Sequence, residues 1–164
     1  MTTYDMEQPD RFTVGAIGEP GQRLFMLQCR QGRILLTVKI EKQQVAVLAS
    51  ILAERVKELG RPGHLPEDLD LEPESDPDWT VGTLGVSYQE DIERIELVME
   101  ELVPEDEEGS VARVALSPEQ AAAFAVHATS LVASGRPPCP LCDLPLDPSG
   151  HDCPRTNGNR APAT

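Results

Sequence analysis

From Phe12 the chain carries three short runs rich in β-branched, aliphatic and aromatic residues, FTVGAIG, RLFMLQC and RILLTVKI, separated by Gly-Glu-Pro-Gly and Arg-Gln-Gly. Such runs bounded by turn residues predict a three-stranded meander. The pattern then changes period. Over residues 41–60, Val45, Leu48, Leu52, Val56 and Leu59 recur at three- and four-residue steps and Gly60 follows as a C-cap, which predicts an amphipathic helix.

A second block repeats that order. Trp79–Tyr88, Ile92–Met99 and Val111–Leu116 read as strands, with PEDEEGS as an acidic hairpin loop before the last. The middle run also has helix-like spacings, and strand is the expectation. Ser117 is placed to cap a helix that has Pro118 at its first position, Ala121, Phe124, Ala125, Ala128, Leu131 and Val132 on its apolar face, and Gly135 at its end.

TVGAIG at residues 13–18 matches TVGTLG at residues 80–85, and the helices open alike, Ile40-Glu41-Lys42-Gln43-Gln44 against Leu116-Ser117-Pro118-Glu119-Gln120. The expected fold class is therefore α+β: two pseudo-repeated βββα units, about 12–60 and 79–135, related by an approximate two-fold and packed as sheet and helix layers. They make up a body over residues 1–136. The proline- and acid-rich stretch 61–78 is expected to be a peripheral, mobile linker between them. Gly15, Gly18, Gly82 and Gly85 are expected to mark bulges or close backbone approaches. A phosphate-cradling loop would need a helix after the glycines, whereas a second strand follows.

Charge changes this picture in one place. The chain carries a net charge of -14, yet residues 61–110 hold 2 basic and 17 acidic residues, so the acidity is local. Nucleic-acid affinity comes from Lys and Arg neutralising phosphates, and this segment repels them; the 4 % aromatic content also argues against a base-stacking surface. Nucleic acid is not an expected partner. No stretch approaches the roughly 18 apolar residues of a membrane span, and the N-terminus lacks a signal-peptide pattern, so a cytoplasmic location is expected.

The specific chemistry lies near the end of the chain. Cys139-Pro-Leu-Cys142, eight residues, then His151-Asp-Cys153 gives three thiols and an imidazole within fifteen residues, with Pro145, Pro148 and Gly150 turning the chain back between them. Zinc prefers a tetrahedron of such ligands, and four protein ligands leave no open position for water, so a structural zinc knuckle over 137–158 is the reading, ahead of a disordered tail at 159–164. Iron or a redox-active pair are the alternatives. Cys29, in MLQCR, reads as a small buried hydrophobe, His64 as a solvated residue of the acidic linker, and His127, beside the apolar face of the second helix, has no visible acidic or nucleophilic partner.

PDRFTVGAIGEPGQRLFMLQ and CPLCDLPLDPSGHDCPRTNG together resemble an uncharacterised actinobacterial family, a domain of unknown function, over nearly the whole chain. The resemblance implies that the Cys and His residues are that family's metal-like motif, with Pro154, Arg155 and Asn157 belonging to it, and it suggests a genomic neighbourhood with a lipid-kinase-like protein. The leading functional expectation is a non-enzymatic protein-interaction or adaptor module. The alternative is an enzyme acting on a phosphate- or carboxylate-bearing small molecule in a cleft between the two units, bound by Arg11, Arg23, Gln28 and Arg155.

Overall fold

The computed structural model describes residues 2–18, 23–59, 66, 68–72 and 76–134, with the backbone of 151–152 and 160–161. Strands β1 (Thr3–Met6), β2 (Arg11–Ile17), β3 (Leu24–Gln31) and β4 (Ile34–Ile40) precede helix α1 (Lys42–Leu59). Then come β5 (Trp79–Gln89), β6 (Arg94–Glu101), β7 (Val111–Leu116) and α2 (Pro118–Ser134), with β8 (His151–Asp152) and β9 (Arg160–Ala161) beyond.

Seven strands form one sheet in the order β1-β7-β6-β5-β4-β3-β2. Directly paired residues share a face, so register sorts the chemistry. Phe12 lies beside Cys29 and Leu36, and Val14 beside Leu27 and Val38, all buried toward the helices. In the second meander Ile95, Leu97 and Met99 face the same way as Leu116, Val114 and Ala112. One apolar cluster from Met6 to Ala128 joins these residues to Val45, Leu48 and Leu52 of α1 and to Phe124 of α2. The molecule is thus an α+β sheet with both helices on one side.

The two meanders meet where β4 and β5 run parallel, through Val38 beside Trp79 and Lys39 beside Thr80. Asp78 closes this short junction: its N–H donates to the Thr37 carbonyl at 2.7 Å, and its Oδ2 accepts the Thr37 N–H at 3.0 Å. A two-fold relation between the blocks would set β4 and β5 antiparallel. Parallel pairing instead lays the meanders side by side in the same sense, which the α1 crossover between β4 and β5 permits.

Strand β1 had no counterpart in the sequence reading. It runs parallel to β7, with Tyr4 beside Ala112 and Met6 beside Val114. Only two of its four residues face inward, too short an alternation to stand out from the polar N-terminus.

Both helices start on a glutamine at their third position. At α2, Ser117 Oγ accepts the Gln120 N–H at 3.1 Å while Gln120 Oε1 accepts the Ser117 N–H at 3.0 Å, a reciprocal capping box. Gln120 Nε2 also donates to the Pro9 carbonyl at 2.7 Å. At α1, Gln44 Oε1 accepts the Glu41 N–H at 2.9 Å and its Nε2 donates to the Gly82 carbonyl at 3.2 Å. Each helix is therefore tied at its first turn to backbone outside it.

Strand β2 lies at one end of the sheet, where an edge leaves backbone groups unpaired. There Phe124 packs on Phe12 with ring centroids 4.7 Å apart, and His127 Nε2 lies 2.8 Å from the Val14 carbonyl. A carbonyl only accepts, so that nitrogen carries the proton, and His127 serves as an edge clasp.

Candidate functional site

The side of the sheet away from the helices differs between its halves. On β5–β7 it carries Thr83, Glu96, Glu100 and Arg113, with Thr83 Oγ1 donating to Glu100 at 2.9 Å and Arg113 lying 3.6 Å from Glu96. A recess of about 370 Å³ there is lined by residues that include Asp5, Asp91, Arg94, Glu96 and Arg113. Arg94 in that recess donates to the Ala115 carbonyl at 2.9 Å.

On β2 and β3 the outward positions are polar at the end away from the connecting turn and apolar toward it, where Ile17 lies beside Leu24. Arg11 lies beside Arg30 and Thr13 beside Gln28, with Gly15 and Met26 following in register. Across this face runs Asp68–Glu72, part of the segment expected to stay peripheral and mobile. Arg11 donates to the Asp68 and Asp70 carbonyls and forms an ion pair with the Asp68 carboxylate at 3.2 Å. The Thr13 hydroxyl donates to the Leu69 carbonyl. Gln28 Oε1 accepts the Glu72 N–H at 2.8 Å, and its Nε2 donates to the Glu72 carbonyl at 3.4 Å and to Thr37 Oγ1 at 3.3 Å.

Arg30 completes the arrangement with a two-pronged grip on the Glu72 carboxylate, Nε to Oε2 and Nη2 to Oε1, both at 2.7 Å. The hydrogen bond from Arg30 holds the Glu72 carboxyl below the usual carboxylate range, and the same bond raises the Arg30 pKa. Leu71 lies over Gly15, where an added Cβ would stand 2.4 Å from Leu71 Cγ. A cleft of about 240 Å³ opens where the segment meets β2, lined by Arg11, Phe12, Leu69 and Gln120 among others.

Two of the four side chains expected to bind a small molecule, Arg11 and Gln28, thus share one face, but each is engaged by the chain's own acidic segment. Arg23 stands apart. It precedes Leu24, which pairs with Ile17 at the far end of the hairpin from Arg11, roughly 20 Å away at about 3.3 Å per strand residue. Arg155 lies outside the described residues, as do Cys139, Cys142 and Cys153; of His151, only the backbone is described, paired with Ala161.

Thr13, Arg30 and the Asp68–Glu72 strap were missed from sequence. The available signal was the polar alternation Arg11/Thr13 and Gln28/Arg30 on strands whose other positions, the terminal Gln31 apart, are apolar, together with the alternate Leu69 and Leu71 in the acidic run. Cys29 faces the opposite way into the core, where burial, helped by the Asp10 charge, pushes its thiol up to about 12, far from the thiolate needed for nucleophilic chemistry.

Among the described residues no helix is long and apolar enough to cross a membrane, and no group of three or more His, Cys, Asp or Glu is placed to hold a metal ion. Neither a curated protein nor a solved structure matches the chain. The family model described as protein of unknown function (DUF3090) matches residues 4–153, from within β1 to the last expected zinc ligand, and the chain belongs to that family.

Proposed function

We propose that this protein is a cytoplasmic protein-interaction module, a duplicated βββα body carrying a C-terminal zinc knuckle. The observation that carries this reading is the engagement of Arg11, Thr13, Gln28 and Arg30 with main-chain groups and two carboxylates of Asp68–Glu72. That is the chemistry of holding an extended peptide. The enzyme alternative needs Arg11, Arg23 and Gln28 to converge with Arg155 on a small anion between the two blocks. Arg11 and Gln28 instead grip the chain's own 61–78 segment on the outer face of β2 and β3, and Arg23 lies at the hairpin's other end.

Duplication is supported by chemistry that matches at aligned positions. Gln44 and Gln120 align in the two helix-opening segments, and each caps its own helix while donating to a carbonyl outside it. Gly15 and Gly82 align as well, and both are closely approached, by the Leu71 side chain and the Leu102 backbone.

The zinc proposal rests on the donor set Cys139, Cys142, His151 and Cys153, which suits a closed structural site, and on a family match that reaches Cys153. The partner class is protein, with the lipid-kinase-like neighbour suggested by the family resemblance as the first candidate. Nucleic acid is disfavoured by the acidity of 61–110.

The test is quantitative co-purification from native lysate of the intact chain, the Cys139→Ser/Cys142→Ser variant and Arg30→Glu, alongside a turnover screen of phosphate and carboxylate metabolites. A partner held stoichiometrically by the intact chain and depleted in either variant is the expected result. Turnover with no retained partner would replace this reading with the enzyme.

A further inference from the structure

Strands β2 and β3 turn unlike faces to their two sides. Toward the helices they carry Phe12, Val14, Leu27 and Cys29; outward they carry Arg11, Thr13, Gln28 and Arg30 at one end, giving way to Gly15, Met26, Ile17 and Leu24 toward the turn. A face sealed only for stability is best served by apolar residues, as these strands supply on their inner side. The outward face instead directs polar side chains at another segment's backbone. Thr13 and Gln28, 1 % and 3 % exposed, are the most deeply buried of them. Their burial is tolerable because they are hydrogen-bonded.

Contacts to carbonyl and N–H groups accept almost any extended chain. Two further contacts discriminate: Gly15 leaves room for Leu71, and the Arg30 fork takes the carboxylate of the next residue, Glu72. Lys39 lies on this same face, beside Met26 in register. Arg11, Arg30 and Lys39 thus share one face of a molecule of net charge -14, with Asp68 and Glu72 of the strap as the present counter-charges of the two arginines. Elsewhere such a protein repels an acidic peptide; here it attracts one.

The strap adds little apolar burial. Its apolar contribution is Leu69 and Leu71, both only half-buried. We infer that the Arg11–Thr13–Gln28–Arg30 face is a docking groove for an extended acidic segment of a partner protein, read by a leucine over Gly15 followed by a carboxylate on Arg30, with Asp68–Glu72 as the built-in occupant which that segment displaces. The inference rests on the protein-interaction reading above and names the partner's chemistry. Tethering gives the strap a high effective concentration, so the groove opens only to a partner that outcompetes it.

The probe is a fluorescein-labelled peptide copying residues 66–74, titrated by polarisation against the full chain and a variant with Leu69, Leu71 and Glu72 all changed to Ser. A strap that occupies the groove nine-tenths of the time weakens the peptide about tenfold. The triple variant is therefore expected to bind at least about tenfold tighter than the intact chain, at unchanged far-ultraviolet dichroism. Adding Arg30→Glu to it should abolish binding, and a peptide with Arg in place of the glutamate that copies Glu72 should restore it. This charge swap is a second route to the answer if the triple variant folds poorly, because Arg30→Glu alone also loosens the strap. Equal affinities for the intact and triple-variant chains, or indifference to the swap, overturn the groove. Peptide binding without a co-purified partner would leave the groove standing and remove the cellular function; a partner retained equally by Arg30→Glu would do the reverse.

Discussion

The side-chain amide of Gln28 faces the peptide group of Glu72 as a neighbouring strand would, accepting its N–H at 2.8 Å and donating to its carbonyl at 3.4 Å. Replacing Gln28 with Leu removes both bonds and strands the Glu72 backbone against an apolar group. An unpaired buried polar group costs about 1–3 kcal/mol, but the strap has a cheaper escape in lifting off into water. Hydrogen exchange should therefore accelerate at Leu69–Glu72 while the global melting temperature moves by only a few degrees. A large cooperative destabilisation with unchanged exchange in the strap would show that Gln28 acts in the core instead.

The Arg30–Glu72 pair gives the strap a pH dependence of definite sign. The Glu72 carboxyl is held below its ordinary range, chiefly by the hydrogen bond from Arg30. A group whose folded-state pKa is depressed contributes stability that is complete above the unfolded value and is lost as pH falls through the folded one. Arg30 keeps its charge throughout, so within this pair Glu72 is the group that titrates. Titration followed by NMR should show the Leu71 and Glu72 amides shifting in step with the Glu72 carboxyl carbon, below the range of free glutamate. Glu72→Gln should flatten the amide curves; identical curves in both proteins would assign the transition to another carboxylate.

Three glycines in the two matching TVG segments should respond differently to alanine. At Gly15 the new methyl would overlap Leu71, whose backbone belongs to the strap, so Gly15→Ala should raise strap exchange with little effect on the core. At Gly82, where the β5–β6 register shifts, the methyl would meet the Leu102 backbone at 3.0 Å, and a sheet moves less readily than a strap. Gly82→Ala should cost about 1–3 kcal/mol, as overpacking does. Gly85 has open space around its Cβ position, and Gly85→Ala should be neutral or slightly stabilising. Chemical denaturation of the three variants gives the ranking; a Gly82 variant as stable as the parent would refute it.

The same residues explain what was legible in the sequence. Ser117, Pro118 and Gln120 act within one helical turn, so their capping role is written in their spacing, and the Val111–Leu116 strand coincides with its apolar run. The sense in which the meanders join is set by the crossover through α1, which leaves no local pattern. The strap failed for a different reason. Its acids and the prolines that flank it read as solvated chain, and most of its contacts use its own backbone, which has no residue signature. What sequence did mark was part of the other half of the pair, Arg11 and Gln28, though the alternative reading assigned them to a small molecule.

The proposed zinc knuckle should be separable from the body. The described core draws its residues from Met6 to Ala128, all within the βββα blocks and β1. The 137–158 stretch offers mainly Leu141, Leu144 and Leu146 as apolar content, too little to order it without metal. Protein purified without added metal should hold one zinc per chain, and acid should ease its removal, because thiolate ligands must be deprotonated to bind. In Cys139→Ser, lost exchange protection should be confined to residues near 137–160. Collapse of protection through Val45–Leu59 and Phe124–Val132 would place the metal in the stability of the core, while stoichiometric iron in its stead would change the identity of the site.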